Sequence, residues 1–365
     1  MLVKDLKLTN FRNHKNFRIG FGENINVIVG PNASGKTNIL EATHMLSTGR
    51  SFKAKYDRDV IRHNEDYARV EGKIHNGDED KELEMFVQKN PNFENASIKK
   101  AKVNKVPKAL YAFTGLLNTV LFSPEDIEVL TGSPAGRRKY MDLILYQIDP
   151  NYKHTHTEYL QAVRQRNKVL ENIRNIGRGS DQLGFWNTKI VRNGIYIQEQ
   201  REILAIFLQK QVRFYGKELN DYDTEIVLNY HKSEISFDRL HEYLSREIAA
   251  KSTLIGPHRE DFEFMLDDFD IIQFGSRGQQ RAAVLALKLA EIDYFIEKTE
   301  NRPVLLLDDV FSELDAKHEE ALMETIQLQQ TIITCTEKPT DTIQKTAEIH
   351  LLQSDALKED DAPFV

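Results

Sequence analysis

The stretch Ile25-Asn26-Val27-Ile28-Val29-Gly30-Pro31-Asn32-Ala33-Ser34-Gly35-Lys36-Thr37-Asn38-Ile39-Leu40, continuing to Leu46, decides the fold. A short apolar run ends in G-x-x-x-x-G-K-T, and apolar residues then recur at Ile39, Ala42 and Leu46, a helical spacing. Strand, glycine loop and helix in that order are the setting of a P-loop. Gly30 and Gly35 let the backbone turn tightly enough to aim successive N–H groups at one phosphate chain, and the helix adds its positive N-terminal end. The candidate nucleotide contacts are therefore Gly30, Pro31, Asn32, Ala33, Ser34, Gly35, Lys36, Thr37 and Asn38. Lys36 is spaced to reach the β and γ phosphates of ATP and Thr37 to hold Mg²⁺. The competing explanation, a chance glycine-rich turn before a helix, weakens as partners for the loop are found elsewhere in the chain.

The 365 residues suffice for two domains, and 40% apolar with 29% charged residues fit a soluble globular protein. No run approaches the roughly 18 apolar residues of a membrane span. Met1-Leu2-Val3-Lys4-Asp5-Leu6 is no signal-peptide core, so the expected compartment is cytoplasmic and no membrane partner is expected. One cysteine, Cys335, excludes an internal disulfide framework, and its apolar surroundings point to a small buried thiol. The net charge of −7 argues against a surface that attracts nucleic acid everywhere. Local clusters say otherwise. Lys99, Lys100, Lys102, Lys105 and Lys108 lie in a segment without acids, followed by Arg137-Arg138-Lys139 and by Arg164, Arg166 and Lys168. Each is either a solvated face or a phosphate seat; set against the acidic residues Asp355, Glu359, Asp360 and Asp361, they suggest a polarised surface.

Along the chain, short β-prone runs at Leu6 and Leu8, 17–21, 67–74 and 83–87 predict an antiparallel layer beside a nucleotide-binding sheet. From Pro124 the texture turns helical, with three- and four-residue spacings across 136–147, 151–175 and 181–219, then 236–249. Breaks at Pro150, Gly177-Arg178-Gly179 and Gly216 exclude a long coiled coil. Strands are expected again at 225–230 and 261–266. The fold class is α/β: residues 1–122 and 250–365 as a discontinuous P-loop ATPase head with an antiparallel β layer, and 123–249 as a mainly helical lid domain. His154-x-His156 lacks a third ligand and reads as a solvated helix start; Trp186 reads as a packing residue of the helical lobe.

Two distant segments complete the P-loop. Val304-Leu305-Leu306-Leu307-Asp308-Asp309 is an apolar strand ending in carboxylates, which places Asp308 to hold Mg²⁺ and Asp309, the next residue out, to orient or deprotonate water. Ser276-Arg277-Gly278-Gln279 opens a helix carrying Leu285, Leu289, Ile292 and Ile296 on one face, a second anion-binding helix end. One chain thus has two such ends and one P-loop, a surplus that a second subunit would satisfy.

Laid out in this way, the chain resembles the ATP-binding-cassette superfamily, in its SMC-like branch of DNA-repair ATPases. Gly30–Thr37 matches Walker A, Val304–Asp308 Walker B, Ser276–Gln279 the signature motif and Ser312–Asp315 the D-loop. More narrowly it is similar to the RecF family of bacterial recombination mediators, through Leu40-Glu41-Ala42, Gly49-Arg50-Ser51-Phe52, Pro124-Glu125-Asp126, 132–142, Gly256-Pro257-His258-Arg259 and 307–315. The resemblance implies ATP and Mg²⁺ as cofactors and an ATP-dependent homodimer. Each nucleotide would be held between Lys36 of one subunit and Ser276, Gly278, Gln279 and Asp315 of the other. It implies a slow, DNA-stimulated ATPase that acts as a switch. It also implies binding of double-stranded DNA and of single-strand/double-strand junctions, and work with RecO and RecR to load recombinase at gaps. Asp309 stands where cassette ATPases commonly carry Glu, which fits slow turnover, and Thr334-Cys335-Thr336-Glu337 replaces the switch histidine. A transporter subunit would have far less sequence between Thr37 and Ser276. The alternative is an SMC-like structural ATPase whose main partner is a protein.

Overall fold

Ile25–Val29 is a strand with every side chain buried, as a parallel strand covered on both faces must be. Val304–Asp308 is buried along its whole length too, and the two belong to one five-stranded parallel sheet in the order Ala347–Leu351, Ile25–Val29, Thr331–Cys335, Val304–Asp308, Thr119–Phe122. The computed structural model describes residues 1–77, 79–93, 96–220, 224–313, 315–337 and 341–352; the acidic run Asp355–Asp361 and Leu314 of the D-loop segment lie outside them.

A second sheet is antiparallel, in the order His14–Gly20, Leu2–Phe11, Tyr67–Asn76, Glu79–Lys89, Ser97–Val103, Val106–Lys108. Tyr67–Asn76 alternates exposed and buried residues, the period of a sheet with one face on a core. The last two strands were not legible as such: the lysine run that fills them hides the alternation around buried Ala101. Helix Lys36–Thr48 packs against both sheets, and one apolar cluster joins Ile39, Leu40, Ala42, Met45 and Leu46 to residues of each. Ile39, Ala42 and Leu46 are thus only part of what it buries. Two of its buried hydroxyls are satisfied locally, Thr43 Oγ1 donating to Ile39 O at 2.9 Å and Thr48 Oγ1 to His44 O at 3.0 Å. Strand Tyr67–Asn76 comes so near the helix at Gly72 that a Cβ there would stand 2.5 Å from Leu46 Cδ1. The first strand is pinned by buried Gln330, whose amide bonds both Val3 N and Val3 O and also reaches Gly22 O at 2.7 Å.

The chain divides into two compact units, 1–125 with 295–365, and 126–294; the sequence reading puts the boundaries at 122/123 and 249/250. The second unit holds helices Pro134–Ile148, Pro150–Ile176, Leu183–Leu219 and Phe237–Ala250, and a three-stranded sheet ordered Phe269–Asp270, Asp261–Leu266, Ile226–His231. Ser133, Asp149 and Ser236 cap three of those helices by accepting from backbone N–H groups. Its interior is polar as well as apolar. Arg201, fully buried, donates to Asp142 at 2.8 Å, Glu260 at 2.9 Å, Tyr152 Oη at 2.9 Å and Pro257 O at 2.7 Å. Burial alone would push the Asp142 carboxyl up, but the Arg201 charge and the Tyr152 hydroxyl hold it below its ordinary value. His154 is exposed, as a solvated helix start requires, but His156 is not: it is buried, bonded to Tyr146 Oη at 2.6 Å, because it falls on the inner face of Pro150–Ile176. No metal-binding cluster occurs among the described residues.

His258 is held between Tyr159 Oη at 2.7 Å and Thr253 O at 3.0 Å. Burial pulls its imidazole from 6.5 down to about 4. A depressed folded value means stability that is complete above the unfolded value and is lost as pH falls toward the folded one. Going from about pH 7 to about pH 5 should therefore cost about 2 kcal/mol through this residue. His258→Gln, which stays neutral, should flatten that part of the urea-midpoint profile; parallel profiles for the two proteins would remove His258 from the account.

Candidate nucleotide-binding site

The P-loop leaves the buried strand at Val29 and enters helix Lys36–Thr48 at Gly35. Gly35 has φ 96°, and a Cβ there would lie 2.5 Å from the Asn13 amide and 2.6 Å from His14 Nε2. Glycine is required twice over, by conformation and by the hairpin turn that presses on it. Ala33 also takes the left-handed region, at φ 66°. No side chain caps the helix start, so its first N–H groups face the loop without a side-chain acceptor. Gly30 admits no side chain either, since a Cβ would stand 2.8 Å from Leu352 O.

Lys36 is nearly buried, its Nζ donating to Gly30 O at 2.7 Å and Pro31 O at 2.9 Å, so the ammonium lies across the loop. Thr37 Oγ1 donates to Asp308 Oδ1 at 2.7 Å, and Thr334 Oγ1 donates to the same oxygen at 2.8 Å. Asp308 is buried, so both hydroxyls serve to satisfy its charge. Asp309, the next residue, is exposed and left-handed at φ 54°, which turns the chain outward at the strand end. A cleft of about 410 Å³ joins these groups, lined by Asn32, Ala33, Gly35, Lys36, Thr37, Asn38, Asp308, Asp309 and Thr334. Ser34 Oγ is buried and unpartnered among the described groups, an atom that a phosphate oxygen would satisfy. The donor set fits a polyphosphate, and a hydroxyl beside a carboxylate fits a hard divalent cation.

Lys53 and Asn13, which the sequence reading did not name, also line the cleft, as does Thr334, which it named only in the place of a switch histidine. Lys53 Nζ stands 3.5 Å from Asp308 Oδ2. It is held there by Ser51, whose Oγ accepts from Lys53 N at 3.0 Å and Ala54 N at 2.7 Å and bonds the buried Glu41. Its signal was a cation directly after Gly49-Arg50-Ser51-Phe52. Asn13 reaches the loop from the hairpin between Leu2–Phe11 and His14–Gly20, accepting from Asn38 Nδ2 at 2.8 Å. That hairpin is anchored by Arg12, which grips Glu41 at 2.6 and 2.8 Å. Thr334 comes from the strand between the two phosphate-side strands. Pairings of this kind arise only from tertiary structure. Cys335, half-buried beside them, has its thiol pushed up to about 11 by burial and by Asp309, and stays protonated.

The remaining candidates lie elsewhere. Ser276 opens helix Arg277–Thr299 through reciprocal bonds, its N–H donating to Gln279 Oε1 at 2.9 Å and its Oγ accepting from Gln279 N at 3.3 Å. Ser276 and Gly278 are exposed, in the second unit. Asp315 caps helix Ala316–Ile326 by accepting from His318 N at 3.1 Å; that bond, with the His318 ring 2.7 Å away, holds its carboxyl below the ordinary value. Among the cations, Lys100, Lys105, Lys108 and Lys139 are exposed. Lys99 sits 2.8 Å from Asp57, and burial pulls its ammonium down; Lys102 pairs with Glu84 at 3.0 Å. Arg137 forks onto Asp261 at 2.7 and 2.8 Å, and Arg138 donates to Glu260 O at 2.7 Å.

A strand–P-loop–helix unit, an Asp-ended strand one place removed in the same parallel sheet and an antiparallel layer together define a P-loop nucleoside-triphosphatase head of the SMC kind. The family model described as the RecF/RecN/SMC N-terminal domain matches residues 2–356, and the chain belongs to that family, in its RecF branch. The DNA replication and repair protein RecF of Lachnoclostridium phytofermentans is 36% identical, covering 92% of this chain and 93% of its own. That of Ligilactobacillus salivarius is 37% identical, covering 92% and 90%. A solved structure of the recombination mediator protein RecF with ATP, in the RecFOR pathway, superimposes with a TM-score of 0.84 at 33% identity over 92% of each chain. The Smc head domain of Pyrococcus furiosus, at 18% identity and TM-score 0.53 over 96% of this chain and 94% of that one, shares the fold alone.

Gly35→Ala should lower stability by about 2 kcal/mol, from left-handed strain together with the Asn13 and His14 contacts. Urea unfolding measures it, and a loss within error of zero would mean that the hairpin turn yields freely.

Proposed function

We propose that this chain is an ATP-dependent, double-stranded-DNA-binding protein of recombinational repair, which dimerises on ATP and acts with RecO and RecR to load recombinase at single-strand gaps. The observation that carries the reading is the junction of Thr37, Asp308 and Thr334 beneath a P-loop whose Lys36 already lies across the phosphate path. The names of the RecF relatives, and the RecFOR pathway of the solved one, support the repair setting. No helix among the described residues is long and apolar enough to cross a membrane.

In this reading the amides of the loop, the start of helix Lys36–Thr48 and Lys36 bind the β and γ phosphates of ATP, and Lys53 adds a second cation beside Asp308. Thr37 and Asp308 would hold Mg²⁺, which neutralises phosphate charge when bound. Asp309, at the exposed strand end, orients the attacking water and takes up its proton. Its side chain is one methylene shorter than Glu, so its reach is poorer and turnover slow. The signature end at Ser276, Gly278 and Gln279 serves the nucleotide of a second subunit, with Asp315 beside the same interface. ATP favours closure by as much as it binds the dimer better than the separate subunits, and a shared nucleotide supplies that difference. Lys99, Lys100, Lys102, Lys105, Lys108, Arg137, Arg138 and Lys139 are the cations proposed for DNA phosphates, although Lys99, Lys102 and Arg137 are already paired with Asp57, Glu84 and Asp261.

Those internal pairs favour one second reading, an SMC-like ATPase whose main partner is a protein. Fluorescence anisotropy of labelled duplex at fixed salt, with ATP, ADP or no nucleotide, separates the two. Tight binding with ATP alone, lost in Lys36→Ala, is expected; binding indifferent to nucleotide, or none, leaves the protein-partner reading. Ser276→Arg should keep ATP affinity in the monomer and lose ATP-driven dimers in sedimentation, and dimers at parental levels would defeat the shared-nucleotide arrangement.

A further inference from the structure

The end of the hairpin formed by helices Pro150–Ile176 and Leu183–Leu219 has no part in the nucleotide chemistry, yet its surface is unusual. Between Arg164 and Arg192 it exposes six cations against Glu171 and Asp181, among them Arg174, Arg178, Lys189 and Arg192. In a chain of net charge −7 this is a local reversal of sign. One of the cations, Lys189, lies over aromatic rings. Phe185 is 58% exposed and meets Trp186 edge-to-face at 4.9 Å and 79°. Lys189 Nζ lies 5.1 Å from the centre of the Phe185 ring and 6.0 Å from that of Trp186. Phe185, Lys189 and Arg192 follow one another on a single helix face, at i, i+4 and i+7.

The platform is fixed from behind and open in front. Trp186 packs on the cluster of Val169, Leu170 and Leu183, so its ring is not free to swing away. Gly184 has nothing within 4 Å of where a Cβ would stand, which leaves room for a planar group beside Phe185. Rings of this kind find no base face to stack on in an intact duplex, where bases are already stacked, but an unpaired strand offers both base faces and phosphates.

We propose that this hairpin end is a binding site for single-stranded DNA, with Phe185 and Trp186 as the stacking surface and Arg174, Arg178, Lys189 and Arg192 as phosphate contacts. The inference rests on the DNA-binding reading and adds to it: residues other than the lysines of Ser97–Val103 and Val106–Lys108 take the unpaired strand.

Trp186 is the single tryptophan of the chain, so its emission reports on this site alone. The full-length protein with ATP is titrated with a labelled oligothymidylate, following tryptophan emission and anisotropy together. Emission should fall with the midpoint of the anisotropy change. Phe185→Ala should weaken oligothymidylate binding about tenfold while leaving duplex binding unchanged. The double variant Arg178→Glu, Lys189→Glu should reduce the salt slope for the single strand by about 1.4, two phosphates at about 0.7 each. Unchanged emission at saturation, parental affinity in Phe185→Ala, or no single-strand binding by the parent would each overturn the site. Duplex binding separates the two levels: retained in those cases, only the hairpin site falls; absent with ATP, the DNA reading falls with it.

Discussion

One carboxylate oxygen, Asp308 Oδ1, holds the site together. A buried carboxylate must be satisfied, and this one draws its donors from two other elements: Thr37 at the start of the P-loop helix and Thr334 on the neighbouring strand. The sheet order makes that possible. Thr331–Cys335 lies between Ile25–Val29 and Val304–Asp308, and Thr334 pairs in register with Ile28 on one side and Asp308 on the other. The Thr334 hydroxyl is thereby fixed next to the strand end where the carboxylate emerges, and Thr37 closes the arrangement from the helix. The Thr334 hydroxyl does not titrate in the physiological range, so it works there as a fixed donor.

The second unit rests on a different kind of constraint. Arg201 is fully buried in a helix that also carries Gln198 toward Glu260, so Asp142, Tyr152, Glu260 and Pro257 O must converge on one guanidinium. A second buried pair, Arg166 with Glu247 at 2.6 Å, joins Pro150–Ile176 to Phe237–Ala250. Such pairs add little net stability over apolar packing, but leaving one partner alone is costly, so they select one mutual arrangement of the helices. The segment Gly256-Pro257-His258-Arg259 owes its place to the same network: Pro257 O accepts from Arg201, and His258 joins Tyr159 to Thr253 O.

Much of this was legible in the sequence, for identifiable reasons. The P-loop, the Asp-ended strand and the long helices carry their periods openly, because most of their buried positions are apolar, although Gly216, read as a break, lies within Leu183–Leu219. Legibility fails where polar residues do structural work. The lysine run 99–108 concealed two strands, since Lys99 and Lys102 are half-covered by carboxylates that lie far away in the chain. His156 looked solvated because its partner Tyr146 stands on another helix. Lys53 and Asn13 reach the cleft through Glu41, Ser51 and Arg12, contacts with no sequence period.

Some backbone strain lies at the same place. The non-glycine residues in the left-handed region include Arg12 in the hairpin turn that presses on the P-loop, Ala33 within the loop and Asp309 facing it. Each costs on the order of 1 kcal/mol and persists only where its surroundings over-determine it. Here they do: Arg12 is fixed by Glu41, Asn13 by Asn38, and Asp309 N by Thr334 O at 3.3 Å. A cleft held in this way has its loop ordered by the chain's own side chains, so phosphate binding energy need not be spent on ordering it.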